Sequence, residues 1–288
     1  NLGIEKKYIA IDESDLYTPL KESNTSVTNQ DLKGTIFNNA QGNFEDIDYL
    51  IITPRSINAQ AEKLANFHRS YSNLNVKVVN LDNIYQEFGG GKQDIGAIRN
   101  FVKYVYHNAS SPSQRVKYLN LFGDASFDFK DRIPNNTNVV PIYHATNSYY
   151  SGELSFASDD FFALMDTNEG DPFYSFGADI AVGRMLVSSV QQAEEMVNKV
   201  IEYHDIKSYG SWRNNYVAIS DDSDKDPDAS LQIKQNNLTD VIYAQKQFIN
   251  FKKILLDSYQ QQTSAGGERY PQANEEITNA FEKGALVF

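Results

Sequence analysis

The sequence predicts an α/β protein whose parallel sheets are flanked by helices, in two subdomains with the second truncated, preceded by a short β-rich segment. Three observations lead there. Short uninterrupted apolar runs, such as Tyr49-Leu50-Ile51-Ile52-Thr53 and Tyr118-Leu119-Asn120-Leu121-Phe122, read as strands covered on both faces. The segments between them carry apolar residues at helical spacing, and Pro54 and Gly284 stand where elements end.

Residues 1–45 alternate short apolar pieces such as Tyr8-Ile9-Ala10-Ile11 with polar stretches and show no helical period, so they read as the tail of a preceding β-rich region. From Asp48 the texture changes. Ile57, Ala61, Leu64, Phe67 and Tyr71 follow the first strand at helical spacing, and Val76-Lys77-Val78-Val79 is the next strand. Asp94 is placed to cap a helix whose inner face carries Ile95, Ile98, Phe101, Val102 and Val105. Two β-α-β units in succession imply a parallel sheet.

Gly123 to about Asp179 is loop-rich and aromatic, and Asp179-Ile180-Ala181-Val182-Gly183 returns to strand. Ser189 with Gln192 fits a capping box that opens a helix burying Ala193, Met196, Val197, Val200 and Ile201. Beyond Trp212 the alternation restarts. Tyr216-Val217-Ala218-Ile219 is a strand, Leu231 to Tyr243 a helix, Ile254-Leu255-Leu256 a strand, and Asn274 to Lys283 a helix. Gly284 is placed as its cap, and Ala285-Leu286-Val287-Phe288 opens a further strand, so the second subdomain reads as incomplete. The boundary is expected near Tyr209-Gly210-Ser211, which gives 1–45, 46–210 and 211–288 as the three parts.

The net charge of −12, without a dense Lys/Arg stripe, argues against nucleic acid and anionic lipid as partners. No run approaches the roughly eighteen apolar residues of a membrane helix, so no direct membrane insertion is expected. The absence of cysteine removes disulfides, zinc thiolates and a thiol nucleophile together.

Ligands and catalytic groups collect at the carboxyl ends of strands in parallel sheets, and three such ends are acidic: Asp124, Asp221-Asp222 and Asp257. The plain alternative is that each satisfies backbone donors where its strand stops. Asp222, Asp224, Asp226 and Asp228 alternate as calcium ligands do, but Pro227 replaces the turn glycine of an EF-hand and Ile233 its bidentate Glu. They read as a solvated acidic loop, with calcium as the minority alternative and no cofactor required. Gly89-Gly90-Gly91-Lys92 fails as a phosphate loop because Gln93 follows Lys92 and no strand runs into the glycines. His68, His107, His144 and His204 show no ligand spacing and read as structural or exposed.

Several stretches in order resemble the gingipain family of cysteine peptidases, and most closely its PorU branch, the surface sortases of the type IX secretion system. They are Val27 to Gly34, Asp48 to Thr53, Leu121-Phe122-Gly123-Asp124-Ala125-Ser126, Ser158 to Asp166, and Ile180-Ala181-Val182-Gly183-Arg184. The segment through Gly34 is what favours that branch. The resemblance implies a caspase-like pair of α/β subdomains, the second being catalytic and carrying a Gly-His-Gly segment and a nucleophilic Cys, both expected beyond Phe288. It also places an acid just after the first strand of the second subdomain to orient the histidine, which aligns with Asp222, or with Asp221 if the register slips. No activity is expected from residues 1–288 by themselves.

For the intact protein the resemblance implies a cysteine endopeptidase or transpeptidase at the bacterial outer-membrane surface. It would remove the C-terminal signal domain of secreted cargo and couple the cargo to surface lipopolysaccharide, beside an outer-membrane β-barrel shuttle. The alternatives are a secreted general endopeptidase of the same family and a non-catalytic docking module of the same fold.

Overall fold

A computed structural model describes residues 9–18, 32–34, 37–145, 155–170, 177–224 and 229–288. Its elements are β1 (Tyr49–Thr53), α1 (Asn58–Tyr71), β2 (Val76–Asn80), α2 (Leu81–Phe88), α3 (Ile95–His107), β3 (Tyr118–Phe122), β4 (Tyr143–His144) and β5 (Ala157–Ser158). They continue with β6 (Ala181–Met185), α4 (Val190–His204), β7 (Asn215–Ser220), α5 (Ala229–Gln245), β8 (Asn250–Leu255), β9 (Gln262–Ser264), β10 (Gly267–Arg269) and α6 (Pro271–Lys283). Internal contacts divide the chain into two compact units, 1–194 and 195–288, with the division inside α4.

In the first unit the strands run in the order β2-β1-β3-β6, all parallel, as the repeated β-α-β pattern requires. Successive side chains of a strand point to opposite faces. Leu50, Ile52, Leu119 and Leu121 therefore share one face, where they are buried with Ile84 of α2 and Ile98, Phe101 and Val102 of α3. Tyr49 and Ile51 share the other, and the Tyr49 ring meets His68 of α1 edge-on at 5.4 Å. Helices thus lie on both faces.

Asp94 caps α3 as expected, accepting from the Gly96 N–H at 2.7 Å. The Ser189 hydroxyl accepts from the Gln192 N–H at 3.2 Å, but the Gln192 side chain returns to the N–H and hydroxyl of Ser188, not to Ser189. On α1 the buried positions are Ala61, Leu64 and Ala65, whereas Tyr71 is exposed because the helix ends there. On α4, Ala193 and Val197 are fully buried, while Met196, Val200 and Ile201 are only partly so. Helix α2 escapes a reading by apolar runs because only Leu81, Ile84 and Tyr85 of its eight residues are buried. Gly89 and Gly91 donate to the Tyr85 carbonyl and end that helix, with Gly90 and Gly91 at φ of 68° and 84°. The glycines form the C-terminal end of α2.

Leu32, Phe37, Phe44 and Ile47 also belong to this core. Leu32, Phe37 and Ile47 are buried, Phe44 packs against them, and Phe37 stacks on Phe44 at 5.5 Å between ring centres. The Glu87 carboxylate accepts from the Leu32 and Lys33 N–H groups at 2.5 and 3.0 Å. Among the described residues of 1–45 there is a 3-10 turn at Glu13–Asp15 and one antiparallel bridge, Asn38 to Phe44, but no strand. Val27 to Asp31 lie outside the described residues.

In the second unit β7 and β8 pair in parallel over their full length. Ile254 joins Val217 and Ala273 in a small core with Ile277 and Ala280 of α6. The adjacent Lys253 turns the other way, reaching Asn236 and Asp240 of α5 at 2.7 and 2.8 Å. Helices α5 and α6 therefore cover opposite faces. Gly284, at φ 74°, closes α6 by donating to the Ala280 and Phe281 carbonyls. The chain then turns alongside β7. Leu286 donates to the Asn215 carbonyl at 2.8 Å, Val217 donates to the Val287 carbonyl at 2.9 Å, and Tyr216 and Val287 form a parallel bridge. Of the strand expected at Ala285–Phe288, the described residues show this isolated bridge and no strand, and Leu286, Val287 and Phe288 are exposed.

Candidate active site

Of the three acidic strand ends, the structure brings two together. Asp221 and Asp222 leave β7 and Asp257 leaves β8, so both reach the carboxyl edge of the same parallel pair. Asp257 accepts from the Ser223 N–H at 3.2 Å and, through its other oxygen, from Gln232 Nε2 of α5 at 2.8 Å. The same Gln232 amide donates to the Asp221 carbonyl at 2.8 Å. Gln232 thus ties the two strand ends to α5.

Asp124 has a different role. Its carboxylate accepts from the Ala125 N–H at 2.8 Å, and its carbonyl accepts from the Val139 and Val140 N–H groups. It is a turn residue within the first unit. Nearby, Arg184 of β6 makes a bidentate pair with Asp159, at 2.9 and 2.6 Å, and donates to the Gly123 and Val140 carbonyls at 2.8 and 2.6 Å. The guanidinium side chain is 6% exposed. This cluster joins three of the segments that carried the family resemblance, and its function is to hold the loop after β3.

Asp222 is half-buried and is held by residues that follow β8. The Tyr270 hydroxyl donates to its Oδ2 at 2.5 Å. Gln261 Nε2 lies 3.0 Å from Tyr270 Oη, 3.0 Å from Glu268 Oε2 and 3.5 Å from Asp222 Oδ2. The Tyr270 hydrogen bond is the main reason the Asp222 carboxyl titrates below its ordinary 3.8. The reciprocal effect pushes the Tyr270 hydroxyl up to about 12, because loss of its proton would leave two anions facing each other. At neutral pH the pair is a carboxylate and a neutral phenol.

The hairpin β9-β10, which carries Glu268 and is flanked by Gln261 and Tyr270, is too short and polar to signal itself by periodicity. Its Gly266-Gly267 pair is the one turn signal that could have located it.

Asp222, Asp224 and Glu268 each place a carboxylate oxygen within 4.8 Å of the others. Asp226 and Asp228 lie outside the described residues. Gln261 and Tyr270 already donate to two of the three carboxylates, which accounts for the close approach of like charges by shared hydrogen bonds. His68 is within 3.1 Å of Ser72 Oγ, His107 contacts the Met165 carbonyl at 3.2 Å and His204 the Val200 carbonyl at 2.7 Å, while His144 lies on β4.

Asp222 is thus a half-buried carboxylate at the carboxyl end of the first strand of the second unit, with β8 as that strand's parallel neighbour. Residues 43–288 match the sequence profile of Peptidase family C25. The chain belongs to that family. This is the gingipain family, and the parallel sheets flanked by helices are the fold expected of it.

Among solved structures, dimeric latent PorU from Porphyromonas gingivalis is similar at 25% identity, with a TM-score of 0.49. The likeness covers 58% of this chain and 16% of that one. A second structure, described as a protease, is similar at 15% identity and a TM-score of 0.44, covering 68% of this chain and 34% of that one. The chain thus spans a minor part of the length of either molecule. No curated protein matches it. No helix among the described residues is long and apolar enough to cross a membrane.

Proposed function

We propose that these residues are part of a cysteine peptidase in which Asp222 orients the catalytic histidine, and that the intact enzyme is a PorU-like sortase. Membership of Peptidase family C25 supports the peptidase class. The observation that carries the assignment of Asp222 is its place in the sheet. It stands two residues past the end of β7, and the segment at Leu286–Val287 runs parallel beside that strand. Neighbouring parallel strands are about 4.8 Å apart, so a histidine at the carboxyl end of that adjacent strand comes within hydrogen-bonding reach of Asp222.

The chemistry follows from that geometry. A carboxylate hydrogen-bonded to one imidazole nitrogen fixes the tautomer and stabilises the imidazolium that forms beside a thiolate. The thiolate attacks the peptide carbonyl, the histidine delivers its proton to the leaving amine, and an acyl-enzyme results. In a sortase an amine takes the place of water in the second step. By the family resemblance both the histidine and the thiol are expected outside residues 1–288, whose sequence holds no cysteine.

The sortase reading rests on the sequence segment through Gly34. Its substrate is the C-terminal signal domain of type IX secretion cargo, removed as cargo is coupled to lipopolysaccharide at the outer-membrane surface. Its working partner is an outer-membrane β-barrel shuttle. The test is processing by the intact enzyme of cargo with and without that domain, compared with unrelated peptides. Cleavage confined to cargo supports the sortase, and equal cleavage of unrelated peptides returns the reading to a general endopeptidase.

A further inference from the structure

Tyr270 lies 48 residues from Asp222 and on a different connection, yet the two make the shortest contact at this edge. Asp222 leaves β7 into a loop, where a carboxylate is free to rotate unless something holds it. Tyr270 is better fixed. It immediately precedes Pro271, the first residue of α6, which restricts its backbone. Its ring packs against the core of Val217, Ile254 and Ala273. The hydroxyl is thus presented by the scaffold, and Gln261 steadies it from the hairpin at 3.0 Å. The bonds that Asp222 accepts from Tyr270 and Gln261 both fall on Oδ2, and Oδ1 takes part in neither.

We infer that Tyr270 is a positioning residue for Asp222, taking Oδ2 so that Oδ1 is presented to the imidazole N–H in the intact enzyme. The inference rests on the assignment of Asp222 proposed above. A catalytic carboxylate works only if its rotamer is held by surrounding hydrogen bonds, and a loose one misplaces the histidine in turn. Acids at this edge include Asp221, Asp224, Asp257 and Glu268. The Tyr270 hydrogen bond is the largest contribution favouring the Asp222 carboxylate, and contacts with Asp221 and Asp224 act in the same direction.

The test is a double-mutant cycle in the intact enzyme, with Tyr270→Phe, Asp222→Asn and the pair together. Turnover is read on a peptide the wild type cleaves. Tyr270→Phe is expected to lower kcat on the order of tenfold with KM unchanged, and to move the acid limb of the pH profile to higher pH. In the Asp222→Asn background it is expected to do nothing further. If Asp222→Asn is impaired while Tyr270→Phe keeps full kcat and an unmoved acid limb, Tyr270 is structural and the inference falls alone. If Asp222→Asn keeps full activity, the assignment of Asp222 falls and the inference with it. Should Tyr270→Phe fail to fold, Gln261→Met is the second variant. It is expected to lower kcat in the same direction by a smaller factor, and unchanged kcat would overturn the inference.

Discussion

The Tyr270 hydroxyl donates to Asp222 Oδ2 across 2.5 Å, and this one hydrogen bond joins the connection after β7 to the connection before α6. It makes an acid at a strand end into an ordered group. Because the bond favours the ionised acid and the neutral phenol, it also decides how the pair responds to pH.

The carboxyl of Asp222 is accordingly expected to titrate below 3.8 in residues 1–288, followed by NMR of its side-chain carbon. The folded value lies below the unfolded one. Any stability the bond contributes is therefore present above the unfolded value and lost as pH falls through the folded one. In Tyr270→Phe the titration is expected to move upward. An unchanged titration would mean that the hydrogen bond is absent in solution.

Arg184 and Asp159 form a bidentate pair with side chains 6% and 18% exposed, and Arg184 also satisfies the carbonyls of Gly123, Val140 and Pro141. Removing one partner strands the other's charge away from water. Arg184→Ala is expected to destabilise the first unit by about 3–5 kcal/mol, and Arg184→Lys to restore only part, since an ammonium cannot reproduce the fork. Urea unfolding followed by circular dichroism measures both.

The family match begins at residue 43, but buried side chains reach back to Leu32. Phe37→Ala leaves a cavity among Phe44, Phe101 and their neighbours and is expected to cost about 3–5 kcal/mol. A chain begun at residue 43 is expected to melt at lower temperature than one begun at residue 32. Equal melting temperatures would show that the segment contributes nothing.

Gly284 ends α6 at φ 74°, and a β-carbon there would come within 3.1 Å of Trp212 Cβ. Gly284→Ala is expected to destabilise the second unit by about 1 kcal/mol or more, read by thermal unfolding.

The elements legible in the sequence were those with one dominant physical signal. The buried strands β1 and β3 are continuous apolar runs, α3 has a full apolar face with Asp94 as its cap, and α6 ends on a glycine. Helix α2 and the β9-β10 hairpin were not legible, because they are short and held by what they touch. Helix α5 places Thr239 against the sheet and leaves Leu231 and Val241 exposed, so periodicity alone would have turned it the wrong way. At the site, Asp222 and Asp257 could be suspected from strand ends. Tyr270, Gln261 and Glu268 could not, since only the fold brings residues so distant in sequence to one edge.

The central claim is that Asp222 orients the catalytic histidine of a cysteine peptidase. Steady-state kinetics of Asp222→Asn in the intact enzyme, with folding checked by melting temperature, tests it most directly. Loss of the carboxylate is expected to lower kcat by at least a hundredfold while the protein stays folded. A folded Asp222→Asn enzyme with wild-type kcat would contradict the account.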